Sequence, residues 1–316
     1  MTRRIGFVMD PLEFITPKKD STLAMMLAAR DLGWELLEIH VADLALERGG
    51  VHARMRRVEV RDDDADWFRA RETIDAPLGE LDAVLMRKDP PFDMDYVYAT
   101  YLLEQAEHDG LPVINHPRAL RDFNEKLATA WFPDLCPPTL VTANRERLRS
   151  FIAEHGDSIV KPLDGMGGTG VFRLGASDPN IGSVLEMLTG RYRHPIMAQQ
   201  YLPAITEGDK RILLVDGQPL EYCLARLAGA GETRANLAAG GSYRAQPLSE
   251  ADRRISERVG PMLVDNGLRF VGLDVIGDKL TEINVTSPTC IREIARDAGV
   301  NAAERLMAAI AASLEP

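Results

Sequence analysis

Residues 161–174, KPLDGMGGTGVFRL, place four glycines within six positions, between two stretches that read as β-strands. Glycine lets a backbone turn several N–H groups onto one phosphate, because no Cβ blocks the approach. Gly165, Gly167 and Gly170 spell GxGxxG. A dinucleotide-binding fingerprint, however, must open a helix, and the GVFRL that follows has strand character. A P-loop fails as well, since no Lys-Ser/Thr pair closes the run. The segment is expected to form a glycine-rich hairpin flap over phosphates, with Lys161 just upstream. A plain flexible turn is the bland alternative.

Around this flap the chain divides by pattern. In the first 115 or so residues strand-like runs (IGFVMD, WELLEIHV, LDAVLM, LPVIN) alternate with helical ones (TLAMMLAARDL from Ser21 as N-cap, and DMDYVYATYLLEQAEHDG). That alternation predicts a parallel sheet with helices on both faces. One helix is expected around ALRDFNEKLATAWF, and Pro137-Pro138 then opens a new unit. The last third offers two hairpins, RILLV-DG-QPLEYCLARL and FVGLDVI-GDK-LTEINV, and two helices, one beginning with the capping box Ser249-Glu-Ala-Asp252. Residues 229–245 form a long Gly/Ala-rich loop, a kind of segment that is more often functional than idle.

Two sets of polar residues complement the flap. Asp274, Glu282 and Asn284 interrupt apolar strands, and two carboxylates with an amide oxygen are hard ligands suited to Mg²⁺ that also holds phosphates. A solvated sheet face gives the same pattern when taken alone. The pairing parity decides between these readings. A two-residue turn would oppose Asp274 to Thr281, whereas an odd loop, or an equivalent bulge, opposes it to Glu282. The second set is cationic: Lys126, Lys161, Lys210, Arg211, Arg226 and Arg234. With 37 Lys+Arg against 48 Asp+Glu, the net charge of -11 disfavours nucleic acid as a partner. An anionic small molecule would have to meet such a local cluster of cations. Three isolated cysteines, an amino terminus without a signal-peptide apolar run and the lack of any bilayer-length apolar stretch predict a cytoplasmic protein without a membrane partner.

Taken together, NEKLATAWF, IVKPLDGMGGTGVFR, MAQQYLPAITEGDKRILLVDGQP, GETRANLAAGG and VGLDVIGDKLTEINVTSPTCIRE resemble prokaryotic glutathione synthetases over nearly the whole chain. MRKDPPFDMDYVYATYLLE and TEINVTSPTCIRE are the more specific stretches. The resemblance implies an α/β ATP-grasp fold, with an N-terminal parallel-sheet domain over residues 1–122, a lid unit over 123–198 and a C-terminal α+β catalytic unit over 199–316. It implies ATP and Mg²⁺, with Mn²⁺ as a possible substitute, the substrates γ-glutamylcysteine and glycine, and a homotetramer. ATP would meet Lys126, Lys161, the flap Asp164, Gly165, Gly167 and Gly168, the hinge Gln200, Tyr201 and Leu202, and Asp209 at the ribose. Asp274, Glu282 and Asn284 match metal ligands, and Arg211, Arg226, Arg234 and Asn236 match catalytic positions. Arg226, Arg234, Ser287 and Thr289 match the substrate cavity.

The chain departs from the family pattern mainly in the loop, where residues 227–231 read LAGAG, Ala235 replaces a glycine and Ser242-Tyr243-Arg244 replaces Arg-Gly-Glu. Residues 229–243 are expected to act as a lid that carries Arg234 to the substrates. The rival readings are another ATP-grasp carboxylate–amine ligase, such as a D-alanine or glutamate-adding enzyme, and a nonenzymatic ATP-binding module of the same fold.

Overall fold

A computed structural model describes residues 2–229 and 241–315. The first sheet holds β1 (Arg4–Val8), β2 (Glu35–Glu47), β3 (Gly50–Val60), β4 (Phe68–Pro77), β5 (Ala83–Met86) and β6 (Val113–Ile114), in the order β4-β3-β2-β1-β5-β6. Its helices are α1 (Ser21–Asp31), α2 (Met94–His108) and the short α3 (Pro117–Asp122). Ile5 and Phe7 of β1 pack with Leu23 and Met26 of α1, while Val8 packs with Leu103 of α2. Helices therefore cover both faces, as alternation of side chains along a buried parallel strand requires.

The expectation of a parallel sheet needs correction. β2-β1-β5-β6 are parallel, but β3 and β4 add an antiparallel extension, making the sheet mixed. β3 buries Val51, Ala53, Met55, Val58 and Val60 between arginines. Val51, Ala53 and Met55 join the core on the α2 side and Val58 and Val60 that on the α1 side, so the buried face switches midway and masks the period of two. The N-cap of α1 is Asp20, whose carboxylate accepts from the Leu23 N–H; Ser21 is the first helical residue. The single helix expected at 119–132 is two pieces: α3 ends at Asp122, and a 3-10 turn follows at Leu127–Trp131. Asn124 fills the break, accepting from the Leu127 and Lys126 N–H groups, so Glu125 and Lys126 point away from a helix axis.

The second sheet, in the order β7-β10-β8-β9, is antiparallel and built from β7 (Thr139–Thr142), β8 (Ser158–Pro162), β9 (Phe172–Leu174) and β10 (Ile196–Gln200). α4 (Arg145–His155) and α5 (Ile181–Leu188) cover it through Leu148, Ile152 and Leu185.

The third sheet comprises β11 (Asp209–Val215), β12 (Gln218–Pro219), β13 (Tyr222–Leu227), β14 (Ser242–Pro247), β15 (Phe270–Ile276) and β16 (Lys279–Asn284). Its main order is β14-β13-β11-β15-β16, with β12 paired to β11. Among the described residues three helices accompany it rather than two: α6 (Glu250–Asp265), α7 (Ile291–Ala298) and α8 (Ala302–Ser313). The capping box is present at α6, with Ser249 and Asp252 exchanging hydrogen bonds. No described helix is long and apolar enough to cross a membrane.

Candidate active site

The glycine-rich segment joins β8 to β9, which pair antiparallel from Ser158↔Leu174 to Val160↔Phe172, so it is a hairpin flap and opens no helix. Gly170 has φ +73°, which glycine adopts without strain. A Cβ at Gly165 would lie 2.7 Å from Pro162 Cγ and 3.0 Å from the Thr169 carbonyl oxygen. The flap overhangs an open cleft between the second and third sheets.

On the floor of that cleft the third sheet carries charges in register. Arg211 of β11 lies opposite Asp274 of β15, and Asp274 lies opposite Glu282 of β16. Asp209 lies opposite Arg226 of β13. Arg211 holds Asp274 with two nitrogens, at 2.6 and 3.1 Å. Arg226 bridges Asp274, at 2.9 Å, and Asp209, at 2.6 Å. Burial opposes ionisation of Asp274, but the two guanidiniums outweigh it and hold this carboxyl well below its usual range. Burial dominates at Asp209 and pushes it up to about 6 despite Arg226. Its Oδ1 is buried and has no hydrogen-bond partner among the described residues.

Two lysines approach from the other side. Lys161 Nζ is 3.2 Å, and Lys126 Nζ 3.8 Å, from Glu282 Oε1. Both ammoniums are buried, and together they outweigh the effect of burial and lower the Glu282 pKa. Lys126 also donates to the Gly165 carbonyl, tying the flap to the break after α3. Lys126, Lys161, Arg211 and Arg226 outnumber Asp209, Asp274 and Glu282 by one, so the cluster retains capacity for a polyanion.

Of the positions expected from sequence, Lys126, Lys161, Gly165, Gly167, Gly168, Gln200, Tyr201, Leu202, Asp209, Arg211, Asp274, Glu282 and Asn284 line this cleft. Asp164 does not; it is exposed at the base of the flap. Arg226, Ser287 and Thr289 line a second pocket, which shares Glu125, Met166, Gly167, Arg211 and Asn284 with the first. Arg234, Asn236 and most of the expected lid lie outside the described residues.

Sequence reasoning missed three groups. Glu125 accepts at one carboxylate oxygen from the Val285 and Thr286 N–H groups and from the Thr286 hydroxyl, fixing the chain beyond Asn284. Gln199 and Ile276 add to the wall of the first cleft. Arg87 is buried in the second pocket, donates to Thr22 Oγ1 and the Pro288 carbonyl, and has no carboxylate within ion-pairing distance among the described residues. Its place just after parallel strand β5 was the available signal, since open α/β sheets bind ligands beyond their carboxyl ends.

Asp274, Glu282 and Asn284 suit Mg²⁺ as an incomplete shell. Asn284 Nδ2 donates to the Gly272 carbonyl, which leaves Oδ1 for a cation. Among the described residues no group of three or more His, Cys, Asp or Glu is arranged to hold a metal alone. Mg²⁺ characteristically takes one or two carboxylates and lets substrate phosphates complete its shell.

A glycine-rich β-hairpin flap, paired buried lysines and an Asp–Glu–Asn edge between two sheets define an ATP-grasp ligase. Residues 4–121 match the family of prokaryotic glutathione synthetase N-terminal domains, and residues 125–299 match the corresponding ATP-grasp domain. The chain belongs to the prokaryotic glutathione synthetase family. The glutathione synthetase of Pseudomonas syringae pv. tomato is 57% identical over 315 residues, covering 100% of this chain and 99% of that one. The glutathione synthetase of Vibrio vulnificus (strain YJ016) is 53% identical over 317 residues, with 100% and 99% covered. Among solved structures, D-cycloserine synthetase DcsG has a TM-score of 0.69 at 16% identity, covering 99% of this chain and 100% of that one. The ATP-grasp ligase PsnB, complexed with precursor peptide PsnA2 and AMPPNP, has a TM-score of 0.65 at 19% identity, covering 100% and 99%. Similarity at that level of identity concerns the fold.

Proposed function

We propose that the chain joins γ-L-glutamyl-L-cysteine to glycine with cleavage of ATP to ADP and phosphate, forming glutathione. One observation carries this reading: the flap-covered cleft and the second pocket share the wall of Arg211, Asn284 and Gly167. A phosphate held in the first therefore faces a carboxylate held in the second.

The chemistry follows from that arrangement. An oxygen of the cysteinyl carboxylate attacks the γ-phosphorus, the bond to ADP breaks, and an acyl phosphate forms. The glycine amine then attacks the acyl carbon, loses a proton, and phosphate leaves. At an effective dielectric near 20, two like charges about 4 Å apart repel by roughly 4 kcal/mol. A carboxylate cannot approach ATP unless that repulsion is offset. Lys126 and Lys161, which line the first cleft, would bind the transferring phosphates, and Arg211 and Arg226, which line the second pocket, would meet the carboxylate. Asp274, Glu282 and Asn284 would hold Mg²⁺, or Mn²⁺ in its place, which spreads negative charge over the phosphates when bound. Gln200, Tyr201 and Leu202 would border adenine, and Asp209 the ribose. Arg87 is the buried cation best suited to a substrate carboxylate, beside Ser287 and Thr289. Arg234 and Asn236 keep the catalytic role expected from sequence. No side chain is required as a nucleophile. The division into units at 1–122, 123–198 and 199–316, the cytoplasmic setting, the homotetramer and the absence of nucleic-acid and membrane partners belong to the same reading.

Phosphate release measured with each substrate omitted in turn tests it. ATP, γ-glutamylcysteine and glycine should all be required, with glutathione accumulating. Better turnover with D-alanine or glutamate in place of glycine would overturn the assignment of substrates.

A further inference from the structure

Leu12 lies in the loop between β1 and α1, is fully buried, and has both its backbone polar groups held by side chains. Its N–H donates to Glu38 Oε1 at 2.9 Å, and its carbonyl accepts from Trp67 Nε1 at 3.0 Å. Glu38, on β2, is itself wholly buried, meeting His40 Nε2 at 3.0 Å and Arg56 Nε at 2.6 Å. Arg56, on β3, reaches back to the loop through Glu13, with its Nη2 at 2.9 Å from Oε2. Around Leu12 the loop is tied from β2, β3 and the segment just before β4, while Asp10 is held from beyond β5, by the Asp89 N–H at 3.2 Å and Lys88 Nζ at 3.0 Å. Residues on either side of Leu12, namely Asp10, Pro11, Phe14, Ile15 and Thr16, form one wall of the second pocket. Glu38, Arg56 and Trp67 do not line that pocket.

We infer that Glu38, seconded by Trp67 and Arg56, is a positioning residue for γ-glutamylcysteine: it sets the outer wall of the dipeptide pocket by fixing Leu12. The inference rests on the reading of that pocket given above. It assigns a purpose to the antiparallel extension of the first sheet, since β3 supplies Arg56 and the segment leading into β4 supplies Trp67, beside Glu38 of β2. A buried carboxylate is costly unless fully hydrogen-bonded. Glu38 meets that condition only while the loop is seated, so the loop has one favoured position. ATP binds in the other cleft and makes no use of this wall.

Glu38→Gln and Trp67→Phe test the inference with little change of volume. The amide has one acceptor oxygen, so it cannot serve both Leu12 and Arg56, while Phe has no N–H for the Leu12 carbonyl. Each variant is expected to raise the KM for γ-glutamylcysteine about tenfold, as the loss of about 1.4 kcal/mol implies, with the KM for ATP changed less than about twofold. Hydrogen exchange of the peptide covering residues 9–20 should accelerate in both, with that of residues 270–284 unchanged. Equal shifts in both KM values, or an unchanged dipeptide KM with unchanged exchange, would overturn the inference. If Glu38→Gln does not fold, Trp67→Phe carries the same test. If the unaltered protein shows no turnover dependent on γ-glutamylcysteine, the substrate reading fails, and the exchange experiment alone decides whether Glu38 seats the loop.

Discussion

Asp274 and Glu282 lie directly opposite each other on β15 and β16, although only Gly277 and Asp278 separate the two strands. A regular two-residue hairpin would set Asp274 against Thr281 and turn Glu282 to the far face. The structure avoids this with a bulge: Val275 pairs with Leu280, and the next pair is Asp274 with Glu282. Thr281 is the extra residue, and its hydroxyl donates to the Asp274 carbonyl at 3.1 Å. The parity required by a two-carboxylate site is restored within one residue, a common use of bulges beside active sites.

Thr281→Val keeps the shape of that residue and removes the hydroxyl. It should destabilise the protein by about 1 kcal/mol. Thermal unfolding should register a fall in Tm of roughly 2 °C, and activity below the transition should be retained. An unchanged Tm would mean that the bulge does not depend on this bond.

Glu282→Gln removes a carboxylate from the proposed metal edge and from the two lysines. It should lower kcat by about 10²-fold and move activation by Mg²⁺ to higher concentration. Titration of activity against Mg²⁺ at saturating ATP separates this from simple unfolding, which would scale the whole curve without shifting its midpoint.

Gly165→Ala tests the flap. The added methyl would collide with Pro162 and the Thr169 carbonyl, one of them backbone that cannot swing aside. A fall of about tenfold in kcat/KM for ATP is expected, corresponding to about 1.4 kcal/mol. Unaltered kinetics would show that the flap has room to give.

Glu13 carries a pH dependence with a definite sign. Its hydrogen bonds to Arg56 are the largest influence on it and hold its carboxyl below the usual 4.5. The folded-state pKa is thus depressed, and the contribution to stability is present above pH 4.5 and lost as pH falls through the folded value. Tm against pH for wild type and Glu13→Gln should differ at about pH 6–7 and converge in acid. A difference that grows toward low pH would contradict the pairing.

The cleft was more legible than the sheet around it. A glycine cluster between strands, lone carboxylates in apolar runs and a lysine beside the flap are local signals, so Lys161, Asp274 and Glu282 could be read directly, whereas Gln200 was expected only from the resemblance. β3 and β4 could not be read so, because Arg54, Arg56 and Arg57 break the apolar run of β3 where its buried face switches between Met55 and Val58, and most of β4 is exposed. The break after α3 was hidden for another reason: residues 119–132 have acceptable helix propensity, and only the Asn124 side chain diverts the backbone. Arg87, Glu125 and Glu38 gain their roles from partners distant in sequence, such as Pro288, Thr286 and Leu12, which no local window contains.

Oxygen tracing addresses the chemistry itself. γ-Glutamylcysteine labelled with ¹⁸O in its cysteinyl carboxylate is turned over with ATP and glycine, and the released phosphate is examined by mass spectrometry. Transfer of one labelled oxygen to each phosphate is expected, because the attacking carboxylate oxygen stays with phosphorus when the amine displaces it. Glutathione formed alongside unlabelled phosphate would contradict activation of the carboxylate by ATP at this site.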